Sequence, residues 1–496
     1  MVFLSSLYKS TRGRVSDVDS SDALLRGIAD DGGLFVKEGS FEKFDVKDFL
    51  DLSYEEIAYK ILKGFFDFHE DKLKDSIKKA YEKFSCREVA PLKIFENRAF
   101  IELYHGPTGA FKDIALTLLP YLMRLSVEKQ NVDDEILILT ATSGDTGKAA
   151  LEGFKDVPGI KIMVFYPKYG VSEAQRIQMI TQEGNNLEVV GIDGNFDDAQ
   201  TAVKSIFINE DIKNELKQKG VIFSSANSIN IGRLFPQVVY YFYGYVNLVK
   251  NDKIKLGQDI NIVVPTGNFG NILASYYAKK MGLPVKKFIC ASNENNILTD
   301  FINTGIYDTK RDFYTTITPS MDILISSNLE RLLYDISGED SKIVNKLMND
   351  LKVNGKFEIN DKMKDELKYF YGNYATRDEI LNGINDLYRC SNYLIDPHTS
   401  VGQVVYDRYV KDTSDDTYAL ITATADFYKF SETVLEALGF VYESEDVNFE
   451  RELSKITNTE IPEFIASLQN KKVVYDNLIQ KDEIKDVVLR FALEKK

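Results

Sequence analysis

A chain of 496 residues, 44% hydrophobic and 28% charged, has ordinary soluble composition and is long enough for two or three domains. Its 61 basic and 76 acidic side chains leave a net charge of −15, which argues against a nucleic-acid binder and leaves room for a locally basic pocket. Cys86, Cys290 and Cys390 are odd in number and lack CxxC spacing, so neither a disulfide framework nor a metal site is expected.

Residues 1–7 lack the pattern of a signal peptide, and no apolar run reaches the roughly 18 residues of a membrane span. The expectation is a cytoplasmic protein with no membrane segment. The first hundred residues read as mainly helical. Ser53-Tyr54-Glu55-Glu56 is a capping box, and Ile57, Ile61, Leu62 and Phe65 follow at helical spacing. The lysine-rich stretch 72–83 predicts a solvated amphipathic helix.

Short β-branched runs then recur at 136–140, 162–166, 187–192, 262–265, 288–291 and 419–422, most of them followed by helical patterns. That alternation predicts an α/β fold with mostly parallel sheets, and runs without polar alternation predict strands buried on both faces. The pattern breaks near 303–320. It turns charged and helical over 337–383, and ends in amphipathic helices over 448–496.

Several loops carry residues suited to chemistry. In His105-Gly106-Pro107-Thr108-Gly109-Ala110-Phe111-Lys112-Asp113, a lysine opens a helix. The positive end of a helix and burial both disfavour an ammonium, which makes Lys112 a candidate nucleophile. Thr142-Ser143-Gly144-Asp145-Thr146-Gly147-Lys148 follows a strand and opens a helix, a place where α/β sheets bind anions, but it lacks Walker spacing. Gly267-Asn268-Phe269-Gly270-Asn271 lies between another strand and helix and lacks GxGxxG. Thr424 sits at the end of a strand, Arg233 is a candidate anion clamp, and His398 reads as structural.

Taken together, these segments resemble the threonine synthase family, within the tryptophan-synthase-β-like (fold type II) pyridoxal phosphate enzymes. The resemblance rests on the lysine segment 105–113, Ser143 to Gly147, and Gly267 to Asn271. It extends to Tyr166-Pro167 with Gly170-Val171-Ser172, Gln175, Gln178 and Met179, to Gly194-Asn195-Phe196-Asp197-Asp198, and to residues 227–233. Tyr8-Lys9-Ser10-Thr11-Arg12 and Asp31-Gly32-Gly33-Leu34-Phe35 are similar to the N-terminal domain of that family.

The resemblance implies two open, mostly parallel sheets flanked by helices, with a mainly helical N-terminal domain and helical C-terminal additions. It suggests a division into an N-terminal domain (1–90), a cofactor-binding core (91–305) with a smaller α/β part at about 115–235, a helical insertion (306–390), and the end of the core sheet with C-terminal helices (391–496). It implies conversion of O-phospho-L-homoserine and water to L-threonine and phosphate, the last step of threonine biosynthesis.

Lys112 would carry pyridoxal phosphate as a Schiff base and act as the catalytic base. Gly267, Asn268, Phe269, Gly270 and Asn271 would cradle the cofactor phosphate, and Thr424 would face the ring nitrogen. Ser143, Gly144, Asp145, Thr146, Lys168, Ser172, Asn227 and Arg233 would bind substrate, and the protein would be a monomer or homodimer. One segment departs: residues 423–430 read ATADFYKF where the family pattern resembles ATAHPAKF, so Asp426-Phe427 replace His-Pro. That departure keeps open a phospho-lyase releasing 2-oxobutyrate; a non-catalytic binding protein on the same fold is a further alternative.

Overall fold

Runs without apolar–polar alternation become strands covered on both faces. The computed structural model of the protein describes residues 6–142, 144–168, 171, 173–194, 196–207, 209–441 and 447–494. Every residue of the strands Ile160–Pro167, Ile260–Pro265 and Ala419–Ala423 is buried. Sheets of that kind need helices on both sides.

Two such sheets form the body. The larger has six strands in the order Phe370–Tyr374, Val285–Ser292, Ile260–Pro265, Ala419–Ala423, Arg98–Glu102 and Leu92–Ile94. All its neighbours pair in parallel except the last two, which pair antiparallel. The smaller has five parallel strands in the order Leu478–Ile479, Leu187–Ile192, Ile160–Pro167, Glu135–Ala141 and Val221–Ser224. The six runs read as strands from the sequence lie within these two sheets.

The helix Pro236–Lys250 is buried along nearly its whole length, as a helix apolar on all sides must be. The N-terminal helix Tyr54–Leu62 packs on it. That helix starts at the expected capping box: Glu56 N–H donates to Ser53 Oγ at 3.2 Å and Ser53 N–H to Glu56 Oε2 at 2.8 Å. The lysine-rich segment forms the helix Glu70–Tyr81, burying Leu73, Ile77, Ala80 and Tyr81. The N-terminal region also holds a three-stranded antiparallel sheet of Leu7–Ser10, Val18–Asp19 and Phe35–Lys37, which its helical reading omits. Thr11 and Arg12, just after the first of these strands, bond Glu330 at 2.6 and 3.1 Å.

Residues 306–390 are not purely helical. Ile306–Asp308 and Lys356–Glu358 form an antiparallel pair, and Phe370–Tyr374 is the edge strand of the large sheet. Only pairing with Val285–Ser292 makes that last segment a strand, because its own sequence, FYGNY, is short and flanked by helices. The tail likewise gives the small sheet its edge strand, Leu478–Ile479, in addition to helices. The cysteines are free, and no helix among the described residues is long and apolar enough to cross a membrane.

Gly153, in the helix Asp145–Phe154, lies where that helix crosses Leu116. A Cβ there would stand 2.2 Å from the Leu116 carbonyl oxygen. Helix propensity favours alanine by about 1 kcal/mol, but the obstacle is backbone, and overpacking costs about 1–3 kcal/mol. Gly153→Ala is expected to lower the urea midpoint, with a net loss of about 1 kcal/mol. An equal or higher midpoint would show that the crossing yields freely.

Candidate active site

The loops singled out from the sequence converge at the C-terminal ends of the parallel strands, where open α/β sheets place ligands. Lys112 opens a helix of five residues, Lys112–Leu116, and its side chain is 12% exposed. Burial is the main cause that lowers its pKa, with the positive charges of Lys429 and Arg233 adding to it and Asp145 opposing. A lysine at a helix start predicts a contribution from the helix dipole beside that of burial. A helix this short has little, so desolvation takes that role.

The lysine loop is fastened to the last strand of the large sheet. Phe111 N–H donates to Thr424 O at 2.8 Å, Asp426 N–H donates to Gly109 O at 3.0 Å, and Ala110 bridges to Ala425. Asp113 is fully buried beside Lys112 and accepts from Thr108 N–H at 2.8 Å and Thr108 Oγ at 2.6 Å. Burial raises its pKa.

Asp145 begins the helix Asp145–Phe154 and forms a buried ion pair with Lys429, Oδ1 to Nζ at 2.8 Å, with side-chain exposures of 5% and 1%. Its other oxygen faces Lys112 Nζ at 3.7 Å, and Gln175 Nε2 donates to Oδ1 at 3.0 Å. Burial alone would raise the Asp145 pKa, but the two lysines overcome it and hold the carboxylate ionised. Lys429 also donates to Thr108 O at 2.9 Å, so it spans the lysine loop and the small sheet's helix.

The glycine loop leads into the helix Gly270–Lys280, with Phe269 in a left-handed conformation just before it. A Cβ on Gly267 would meet the Ser320 carbonyl oxygen at 2.7 Å. Asn271 accepts at Oδ1 from the hydroxyls of Tyr240 and Tyr241, while its buried Nδ2 has no partner among the described residues. Asn268 is exposed. Arg233 is buried; its Nη1 donates to Ala226 O at 2.6 Å, and its Nε has no partner among the described residues. Burial lowers its pKa to about 10. Both backbone groups of Thr424 are engaged, with Phe111 and with Thr399 Oγ, which leaves the hydroxyl of this buried residue as its remaining polar group.

Two unpartnered buried donors, a glycine-bearing helix start and a lysine depressed by burial suit an anionic carbonyl compound such as pyridoxal phosphate. Gly144 N–H donates to Thr142 Oγ at 3.0 Å, and Thr146 is half-buried in the same helix start. Asn227 is half-buried in the turn before Arg233, its N–H donating to Ser225 Oγ at 3.1 Å. Lys168 is 43% exposed and faces Asp193 at 3.4 Å, apart from the ion pairs just described. Ser143 and Ser172 lie outside the described residues.

Lys429 and Ser320 were not singled out as site residues from the sequence. A lysine inside an otherwise aromatic turn was the available signal for the first; Ser320 carried none. His398 was read as structural. It accepts at Nε2 from Ser320 N–H at 3.3 Å and pairs through Nδ1 with Asp396 at 2.9 Å, which makes it a support of the site.

Asp426 caps the turn Phe427–Phe430 by accepting from Tyr428 N–H at 2.9 Å. Burial pushes its pKa up to about 6. An unfolded aspartate titrates at about 3.9, so the fold loses stability as pH rises from about 4 through 6, and the full cost, on the order of 3 kcal/mol, stands above that window. Asp426→Asn keeps the capping oxygen. It is expected to gain stability relative to the wild type between pH 4 and pH 7.5, by about that amount, in urea midpoints taken at both pH values. A variant-minus-wild-type difference that does not change with pH would contradict this.

Comparisons with known proteins identify the family. The profile described as Threonine synthase N terminus matches residues 7–81, and that described as Pyridoxal-phosphate dependent enzyme matches residues 101–423. A human protein named Threonine synthase-like 1 is 41% identical over 86% of this chain, and the chain spans only 58% of that relative's length. Threonine synthase of Eremothecium gossypii is 33% identical, covering 95% of this chain and 99% of the relative. The crystal structure of pyridoxal-phosphate-bound threonine synthase from Brucella melitensis superposes with a TM-score of 0.87 at 33% identity, covering 99% of this chain and 100% of the other. The chain therefore belongs to the threonine synthase family of pyridoxal-phosphate dependent enzymes.

Proposed function

We propose that the protein converts O-phospho-L-homoserine and water to L-threonine and phosphate. The observation that carries this reading is the buried Arg233, whose Nε has no partner among the described residues and whose charge reaches Lys112. A buried guanidinium with no carboxylate bonded to it suits a phosphate that arrives with the substrate.

Pyridoxal phosphate, when bound, supplies an electron sink for negative charge developing beside the substrate nitrogen. Lys112 would hold it covalently, Gly267, Asn268, Phe269, Gly270 and Asn271 would take its phosphate, and Thr424 would meet its ring nitrogen. A neutral hydroxyl there accepts or donates without fixing a charge on the ring.

Burial keeps a larger share of Lys112 as the free amine at neutral pH than an exposed lysine would have. That amine can both attack a carbonyl carbon and take a proton from the substrate's α- and β-carbons. Asp145, kept ionised by Lys429, holds the ammonium form of Lys112 in place between proton transfers. Arg233 binds the leaving phosphate, and Thr146, in the first turn of the helix Asp145–Phe154, receives the substrate carboxylate. The cluster excludes bulk water, so water addition is confined to the bound intermediate.

Purified protein supplied with pyridoxal phosphate and O-phospho-L-homoserine is expected to release threonine and phosphate in equal amounts. Lys112→Ala should lose this activity and the visible absorbance of the lysine-bound cofactor. A second reading has support of its own. Asp426-Phe427 depart from the family pattern, and identity to the relative named threonine synthase-like (41%) exceeds that to the Eremothecium threonine synthase (33%). If 2-oxobutyrate appears in place of threonine, the protein is a phospho-lyase.

Arg233→Ala is expected to raise the KM for the phosphorylated substrate by at least about tenfold, the scale of one lost charge-assisted contact. An unchanged KM would remove Arg233 from the phosphate site.

A further inference from the structure

Residues 314–322 form a strap laid across the site. A polar network holds it: Asn293 Nδ2 donates to Thr316 Oγ at 2.9 Å, Thr318 Oγ at 2.8 Å and Asp322 Oδ1 at 2.7 Å. Asn295 Nδ2 donates to Tyr314 O at 2.8 Å and Asp322 Oδ1 at 2.9 Å, and Thr316 N–H donates to Asp322 Oδ2 at 2.9 Å. The strap ends in the turn Pro319–Met321, which carries Ser320.

Ser320 is held from three directions. Its N–H donates to His398 Nε2 at 3.3 Å, its carbonyl abuts Gly267, and its hydroxyl lies between Lys112 and Asp145. The hydroxyl's single proton goes to Asp145 Oδ2 at 3.4 Å, which turns its lone pairs toward Lys112 Nζ at 3.1 Å. Asp145 itself is 3.7 Å from Nζ, so the serine is the nearer acceptor. Asp396 binds His398 and also the Thr399 hydroxyl, which in turn accepts from Thr424 N–H. One carboxylate thus sets the positions of Ser320 and of Thr424.

We propose that Ser320 is a further catalytic residue of this site, whose hydroxyl accepts from Lys112 Nζ, aims that amine and governs how readily it gives up its proton. The proposal rests on Lys112 being the cofactor lysine. The charged and titratable groups around Lys112 are Asp145 on the small sheet's helix, Lys429 on the turn after the last strand, Arg233 on the helix after Val221–Ser224, and Asp113 next in sequence; His398 stands behind Ser320. Of these, only Asp145 loses a bond when Ser320 loses its hydroxyl, and it keeps Lys429 and Gln175.

The test measures how fast the cofactor-stripped full-length chain captures added pyridoxal phosphate across pH, followed by absorbance, beside kcat and KM of the reloaded enzyme. The capture rate follows the fraction of Lys112 present as free amine. Removing an acceptor of the ammonium form should move this limb to lower pH by about one unit in Ser320→Ala, since a hydrogen bond to a charged group is worth about that much. The kcat should fall about tenfold or more with KM changed less, because the amine is no longer aimed.

Ser320→Thr, which keeps the hydroxyl, should retain the wild-type limb. An unmoved limb in Ser320→Ala overturns the proposal, whatever the activity does. If Lys112→Ala captures the cofactor as well as the wild type, the assignment of the cofactor lysine fails, and the role of Ser320 with it.

Discussion

The site depends on the buried ion pair between Asp145 and Lys429. It joins the first turn of a helix on the small sheet to the turn that follows the last strand of the large sheet. Burying either charge alone would cost several kcal/mol, so each requires the other. Lys429 holds the lysine loop through Thr108, and Asp145 holds Lys112 and Gln175. The pair therefore fixes the approach of the two sheets and, with it, the distance between the Lys112 loop and the Gly144 loop.

The same pair explains the electrostatics. Lys112, Lys429 and Arg233 lie against the carboxylates Asp145 and Asp113, all in a region of low dielectric. Asp145 answers Lys429, and Asp113 is satisfied by Thr108. What remains is a lysine pressed toward its neutral form and an arginine with an unmet donor. Such a site favours incoming phosphates and carboxylates, and it keeps the nucleophile ready without a separate base beside it.

Some of this was legible in the sequence for definite reasons. The parallel strands announced themselves because strands buried on both faces must be continuously apolar, as 136–140 and 262–265 are. The capping box at Ser53 and Glu56 is a local device that needs no tertiary partner. The loops at Lys112, Gly144 and Gly267 were visible because strand-to-helix turns demand small residues in known places. The edge strand Phe370–Tyr374 was not visible, since pairing with Val285–Ser292 alone makes it a strand. Lys161 is similar: buried in a strand, it is satisfied by the carbonyls of Phe491, Ala492 and Glu494 more than three hundred residues away.

The sequence by itself determined the α/β class and the order of the loops, because each is encoded in local spacing and hydrophobic pattern, and it marked Lys112 as a candidate nucleophile that the family resemblance turns into an expected cofactor lysine. The tertiary structure alone decided which charges meet. Lys429 reaches Asp145 and Ser320 reaches Lys112 across separations of hundreds of residues, and no local pattern records such a meeting. It also decided what lowers the pKa of Lys112. The helix it opens is too short to supply the effect, and the cause is the desolvation that comes when two sheets and a strap close around it.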